Sequence, residues 1–205
     1  MIEPFYAERL FNQLYANING YEVSIGAQDN FKGDTKSLIY GELPFETCQN
    51  IINQIQPKSN GVFFDLGSGT GRIAMTAHLL HNFRKSIGVE LLDGLHDKAC
   101  EIKNTFEIDL LPPIRSKFEG SDLQFLKANI FDVDLSEADF VFINHPFKGD
   151  QLFDDLETKL ISELKPGTKL VTIIRHLRNP AFKSLGSKNY KFSWGNSTAH
   201  FAEVA

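Results

Sequence analysis

The apolar residues of this chain follow two rhythms, and the order in which the rhythms alternate predicts its architecture. Phe5, Tyr6, Leu10, Phe11, Leu14 and Tyr15 recur at helical spacing, so residues 4–17 are expected to form an amphipathic helix. Residues 18–39 are polar and contain glycine, and the pattern predicts a long, lid-like connection. Phe45, Cys48, Ile51, Ile52 and Ile55 give a second helix one apolar face, with Pro44 at its start and Pro57 and Asn60-Gly61 beyond its end. An apolar run over Val62–Leu66 then predicts a buried strand, followed by a helix over 71–82, a strand over 85–90 and a helix over 92–106. Leu110 to Gly120 reads as a loop, Leu123 to Ile130 as a third strand and Asp139 to Ile143 as a fourth. A helix over 150–164 and a fifth strand over 168–174 come next. Tyr190–Trp194 and Ala199–Val204 then form a hairpin joined by Gly195-Asn196-Ser197.

Strands alternating with helices predict an α/β fold: a doubly wound, mostly parallel sheet with a C-terminal antiparallel hairpin, in one domain over residues 1–205. Such sheets bind ligands outside the carboxyl ends of their strands. Asp65, Glu90, Asn129 and Asn144 all fall at those ends, so four polar residues converge on one crevice.

Composition narrows the class without changing this picture. A content of 42% hydrophobic and 23% charged residues over 205 positions is that of a globular domain with a sizeable core. No apolar stretch reaches the length of a membrane span, and the amino terminus does not read as a signal peptide. Cys48 and Cys100 sit in apolar helical patterns and are expected as free thiols, which fits a reducing, cytoplasmic compartment. The six histidines are scattered and there is no CxxC pair, so no metal site is expected. The net charge of −5 is uneven: residues 1–163 balance at −11, and residues 164–205 at +6. The basic stretch 165–191 is either a solvated face or a surface for an anionic partner such as nucleic acid.

The densest chemistry lies at Asp65-Leu66-Gly67-Ser68-Gly69-Thr70-Gly71. Alternating glycines between a strand and a helix allow a tight turn and a close approach of backbone to ligand. The spacing is not that of a dinucleotide fingerprint, and Asp65 would repel a pyrophosphate. A cofactor with a cationic amino acid end suits it better. Glu90, nineteen residues beyond Gly71, is placed to take ribose hydroxyls.

The run D-L-G-S-G-T-G followed by Gly88-Val89-Glu90 is similar to the cofactor motifs of class I S-adenosylmethionine methyltransferases. With Tyr40-Gly41-Glu42, Phe45, Phe142-Ile143-Asn144 and Phe192-Ser193-Trp194 added, the chain resembles the Dot1 family of non-SET histone-lysine methyltransferases from about residue 38 onward. The resemblance implies a Rossmann-like fold and S-adenosylmethionine as cofactor. It puts Tyr40 and Glu42 over the methionine end, Asp65, Gly67, Ser68, Gly69 and Gly71 around the amino acid portion, and Glu90 on the ribose. Asn129 and Ile130 would flank the adenine, Asn144 would stand beside the transferred methyl group, and Phe147, Trp194 and Phe201 would line the acceptor channel. Asn129 and Phe201 depart from the family's aspartate and tyrosine, and the strongly basic tail of the nuclear enzymes is missing. The expected reaction is therefore methylation of a lysine in a protein other than a chromatin histone.

Asn144-His145-Pro146-Phe147 is also one residue from the N-P-P-F of enzymes that methylate the amino groups of nucleobases or glutamine. A noncatalytic domain that kept the fold is the third reading. In either catalytic reading Asn144 and Phe147 touch the target amine, Tyr40 orders the site, and His145 is placed to accept a proton.

Overall fold

The computed structural model describes residues 2–35, 38–144 and 148–205. Helix α1 (Pro4–Tyr15) begins with a proline that needs no amide partner and buries Leu10, Phe11 and Leu14. The next segment departs from the sequence expectation: Gly20–Asn30 is not a loop but a second helix, α2, capped by the Asn19 side chain. Its buried residues are Gly20, Ser24 and Ala27, a stripe at helical spacing made of small side chains. Helix α3 (Phe45–Ile55) ends at Gln56, whose left-handed conformation stops the helix. Strand β1 (Val62–Leu66), helix α4 (Arg72–Leu80), strand β2 (Lys85–Glu90) and helix α5 (Asp93–Thr105) follow where the sequence places them, within a residue or two. A π turn over Phe106–Leu110 extends α5, and the stretch from Leu110 to Gly120, expected as a loop, contains a 3₁₀ turn over Pro112–Lys117. Strand β3 (Asp122–Lys127), strand β4 (Phe140–Ile143), helix α6 (Asp150–Glu163) and strand β5 (Lys169–Ile173) complete the alternating part.

The closing hairpin is longer than expected. It consists of β6 (Phe182–Phe192) and β7 (Gly195–Val204), and the turn is Ser193-Trp194, not Gly195 to Ser197. Gly195, at φ 121°, takes the backbone conformation that lets the chain re-enter the sheet. The described residues form one seven-stranded sheet in the order β3-β2-β1-β4-β5-β7-β6. The first five strands are parallel, and β7 runs antiparallel to both β5 and β6. Strand β6 is an outer edge, with an irregularity between Ser184 and Gly186.

Alternation along the central strands feeds two cores. Phe63, Phe140 and Phe142 face α1, α3 and α4, whereas Phe64, Val141 and Ile143 face Phe153, Leu156 and Leu160 of α6. Burial on both faces explains why these strands read as unbroken apolar runs. Cys48 is buried, Cys100 is half-buried, and both are free thiols. Among the described residues no helix is long and apolar enough to cross a membrane.

Four of the seven basic residues of 164–205 are engaged with acids or carbonyls of the fold. Lys165 meets Asp139 at 3.0 Å, Arg175 meets Asp150 at 2.8 Å, and Arg178 pairs with Asp154. Lys169 donates to the carbonyls of Ile55 and Gln56, capping α3. The positive balance of this stretch is thus spent partly on acids and carbonyls from the rest of the chain.

Candidate active site

Between β1 and α4 the chain turns through Gly67, Gly69 and Gly71, all at positive φ. The amides of Gly67 and Ser68 donate to Val89 O at 2.9 and 3.0 Å, which ties the turn to the end of β2. Glu90 fixes it further: its carboxylate accepts the Gly69 amide at 2.8 Å and the Leu92 amide at 2.8 Å. Burial pushes the Glu90 carboxyl above the usual range, and these amides partly offset the effect. Two lone pairs are used, and a carboxylate has about four, so Glu90 keeps acceptor capacity toward the space it faces.

That space is a cavity of about 340 Å³ at the carboxyl ends of β1, β2 and β4. Of the residues singled out in the sequence, Tyr40, Glu42, Gly67, Ser68 and Gly69 line it on one side. Glu90, Asn129, Ile130 and Asn144 line it on the others. The Tyr40 ring lies against Gly69, where an added Cβ would fall 2.7 Å from Cε2. The Tyr40 hydroxyl donates to Glu42 Oε1 at 2.8 Å, and Glu42 Oε1 lies 3.1 Å from Arg72 Nε. Burial and the adjacent Glu42 raise the Tyr40 pKa, so the phenol stays protonated. The Asn129 side-chain oxygen accepts the Phe131 amide at 3.1 Å, which turns the chain there and leaves the NH₂ for other partners.

Two of the singled-out residues lie near the cavity but not in its wall. Asp65 is fully buried behind the glycine turn, and neither carboxylate oxygen has a hydrogen-bond partner. Burial first, and the charge of Glu90, raise its pKa to about 8; the Ala74 amide, short of hydrogen-bond geometry, offsets only part. Gly71 is packed tightly, outside the cavity wall: a Cβ there would meet Phe125 Cζ at 2.4 Å, and its φ is 82°. Its role is to let α4 close on β3. Gly71→Ala is therefore expected to cost about 2–4 kcal/mol, from strain plus overpacking. That is a fall of about 5–15 °C in melting temperature. A variant that melts with the parent would return Gly71 to the list of ligand-contacting glycines.

Trp194 and Phe201 also stand apart from the cavity wall. Trp194, 40% exposed, stacks on Phe192 and covers Gly41 at the rim. Phe201 is buried in the α1/α3/α4 core, because β7 alternates and its position faces inward with Ala199. Its aromatic ring packs in that core, away from the cavity wall. His145 and Phe147 lie outside the described residues.

Asn144 occupies the carboxyl end of β4. Its amide donates to Gly41 O at 2.9 Å, whereas its side-chain oxygen is buried without a partner. Ser68 Oγ is likewise unpartnered. Unsatisfied buried acceptors are costly, and three residues with such atoms around one cavity are what a ligand carrying donors would complete.

Sequence reasoning missed three contributors. Ser24 and Gln28 of α2 wall the cavity, so part of the segment expected to be a lid-like connection is a helix that lines the site. Arg72 joins the cavity to α1, its guanidinium 4.5 Å from the Tyr15 ring centre and 5.6 Å from that of Phe11. Its place directly after the glycine turn is the signal that could have found it. Among the described residues no group of three or more His, Cys, Asp or Glu could hold a metal ion.

Strand order and glycine turn together define the Rossmann-like methyltransferase fold. Solved structures of that fold superpose on the chain. An RNA methyltransferase from Salinibacter ruber in complex with S-adenosyl-L-homocysteine does so with a TM-score of 0.58 and 22% identity, over 80% of this chain and 93% of that one. Magnesium protoporphyrin IX methyltransferase from Synechocystis PCC 6803 with bound SAM covers 100% of this chain and 99% of its own, at TM-score 0.60 and 10% identity.

The family itself comes from sequence: the chain belongs to the family described as histone methylation protein DOT1, which matches residues 26–196. A protein-lysine N-methyltransferase of Saccharolobus islandicus is 30% identical over 133 residues, 65% of this chain and 74% of that protein. The H3 lysine-79 specific histone-lysine N-methyltransferase of Caenorhabditis elegans is 30% identical over 135 residues. That match takes in 65% of this chain but only 14% of the nematode protein, and a Kluyveromyces lactis relative is matched over 26% of its length.

Proposed function

We propose that the chain is an S-adenosylmethionine-dependent N-methyltransferase acting on lysine side chains of a protein. The observation that carries this reading is Asn144, at the end of β4, with a buried side-chain oxygen that has no hydrogen-bond partner among the described residues. An amine arriving at the cavity would donate its N–H there. Membership of the DOT1 family and the lysine methyltransferases among its relatives support the same conclusion.

The residues present fit the cofactor. The uncompensated carboxyl of Asp65, behind Gly67, suits a cationic amino group. Glu90 retains lone pairs for ribose hydroxyls, and Ile130 and Leu95 supply apolar surface in the same cavity. When bound, S-adenosylmethionine supplies an electrophilic methyl group.

The protein's own work is alignment and deprotonation. Asn144 orients the amine through one N–H, which turns its lone pair along a fixed direction. A free lysine amine at neutral pH costs roughly 4 kcal/mol, from its reference pKa near 10.4. Desolvation at the apolar rim around Trp194 lowers that cost. His145, next in the chain, is the candidate to take the proton.

The test is transfer of a labelled methyl group from S-adenosylmethionine into a cell extract, followed by protease or RNase. Label lost to protease and recovered as methyl-lysine supports the reading. Label lost to RNase instead would move the substrate class to nucleobase amino groups.

A further inference from the structure

Two segments far apart in sequence meet beside the cavity, in whose wall Tyr40, Gly41, Glu42 and Leu43 stand. One is the strap Tyr40–Leu43, which covers the glycine turn; the other is the turn between β6 and β7. The join is largely one hydroxyl. Ser193 Oγ donates to Glu42 O at 2.9 Å and accepts the Glu42 amide at 3.3 Å. It also lies 2.7 Å from the Tyr21 hydroxyl; since Ser193 spends its proton on Glu42 O, Tyr21 is the donor. One bond donated and two accepted is the full capacity of a serine hydroxyl. The Ser193 amide adds a further contact to Glu42 O at 3.3 Å.

The next residue reinforces the join. Trp194 lies so close on Gly41 that a Cβ there would fall 2.4 Å from Cζ3 of the indole. On the opposite side the strap is held from the cavity. Asn144 reaches Gly41 O at 2.9 Å, Tyr40 and Glu42 share a hydrogen bond, and Arg72 meets Glu42. Glu42 is thus gripped by the cavity through its side chain and by the hairpin through its backbone.

Resting on the methyltransferase reading, we propose that Ser193 is a positioning residue that couples the cofactor cavity to the β6–β7 hairpin. Its hydroxyl keeps the strap closed over the cavity. An acceptor that steadies the hairpin tip then raises cofactor affinity, and bound cofactor raises acceptor affinity by the same factor. The device resides in residues that touch neither reacting atom.

The chain's single tryptophan is Trp194, so the latch can be read without turnover. The experiment compares the full chain with Ser193→Ala and Ser193→Thr. S-adenosylhomocysteine affinity is measured by calorimetry, and acrylamide quenching of the indole with and without that ligand. Ser193→Ala is expected to bind about five- to tenfold more weakly, consistent with loss of a small set of exposed hydrogen bonds. Its indole should be more quenchable when empty and regain protection on binding. Ser193→Thr, which keeps the hydroxyl, should restore both. Gly41→Ala, which forces the indole outward, should resemble Ser193→Ala. If the parent binds and Ser193→Ala matches it within twofold, or if Ser193→Thr fails equally, the coupling is overturned while the cofactor reading stands. If the parent binds no S-adenosylhomocysteine, the reading of the cavity falls and the coupling falls with it.

Discussion

Asp65→Asn is expected to act in opposite directions on stability and on binding. This carboxyl is fully buried with no hydrogen-bond partner among the described residues, and burial pushes its pKa up to about 8. The folded-state value lies above the unfolded value of about 4. Below pH 4 both states hold the proton and nothing is lost. As pH rises from about 4 to 8 the unfolded chain releases that proton freely, whereas the folded chain must keep it or bury a charge. Stability of the empty protein therefore falls across this window.

Asparagine has no proton to lose. The variant should melt about 5–10 °C above the parent at pH 8 and show no advantage at pH 4. For binding the sign reverses. A cationic amino group entering in front of Gly67 is stabilised by an ionised Asp65, so affinity for S-adenosylhomocysteine should rise between pH 6 and 8 by up to about tenfold per unit. Asp65→Asn should flatten that rise and bind at least about tenfold more weakly at pH 8. Melting curves and calorimetry across pH check both halves. A variant that gains stability but keeps full affinity would make Asp65 a strained structural acid with no part in the site.

Asn144→Ala should separate binding from turnover. The substitution removes the amide that holds Gly41 O and the oxygen that awaits a donor. Loss of the strap bond alone is worth about 1 kcal/mol, hence a fall of about fivefold in cofactor affinity. Loss of the amine contact acts on the reacting group, and by analogy with removal of one positioned polar group from an active site it should lower kcat about 10²–10³-fold. Calorimetry and single-turnover methyl transfer measure the two effects independently. If kcat and cofactor affinity fell together by the same fivefold, Asn144 would be an anchor for the strap and nothing more.

The contrast between legible and illegible parts of the chain has a physical origin. Strands β1 and β4 announce themselves because both faces are buried, so nearly every residue is apolar. Helix α2 hides because it buries Gly20, Ser24 and Ala27 while exposing Ile25 at 63%. A hydrophobic period cannot register a contact face built from small residues. The glycine turn is readable as a turn, but sequence spacing cannot say which glycine lines the cavity and which packs on Phe125. Glu90, Asn129 and Asn144 could be grouped in advance because strand ends converge in this fold class. Phe201 could not be placed by resemblance alone, since a strand's alternation, fixed by its register with β5 and β6, decides which face a side chain takes. The hairpin was read too short because the middle of β6, from Lys183 to Asn189, is exposed and polar and mimics a loop.

That same exposed strand governs how the molecule behaves among copies of itself. An eleven-residue strand at the outer edge of a sheet is a template for intermolecular pairing and eventual precipitation. Here Lys183, Lys188 and Lys191 stud the edge, and the irregularity at Ser184–Gly186 breaks its straight run. Stacking two such edges would bring like charges together across a kinked seam. The lysines thus act as colloidal guards, and neutralising them by acetylation or screening them with concentrated salt would shorten the time this protein stays dispersed.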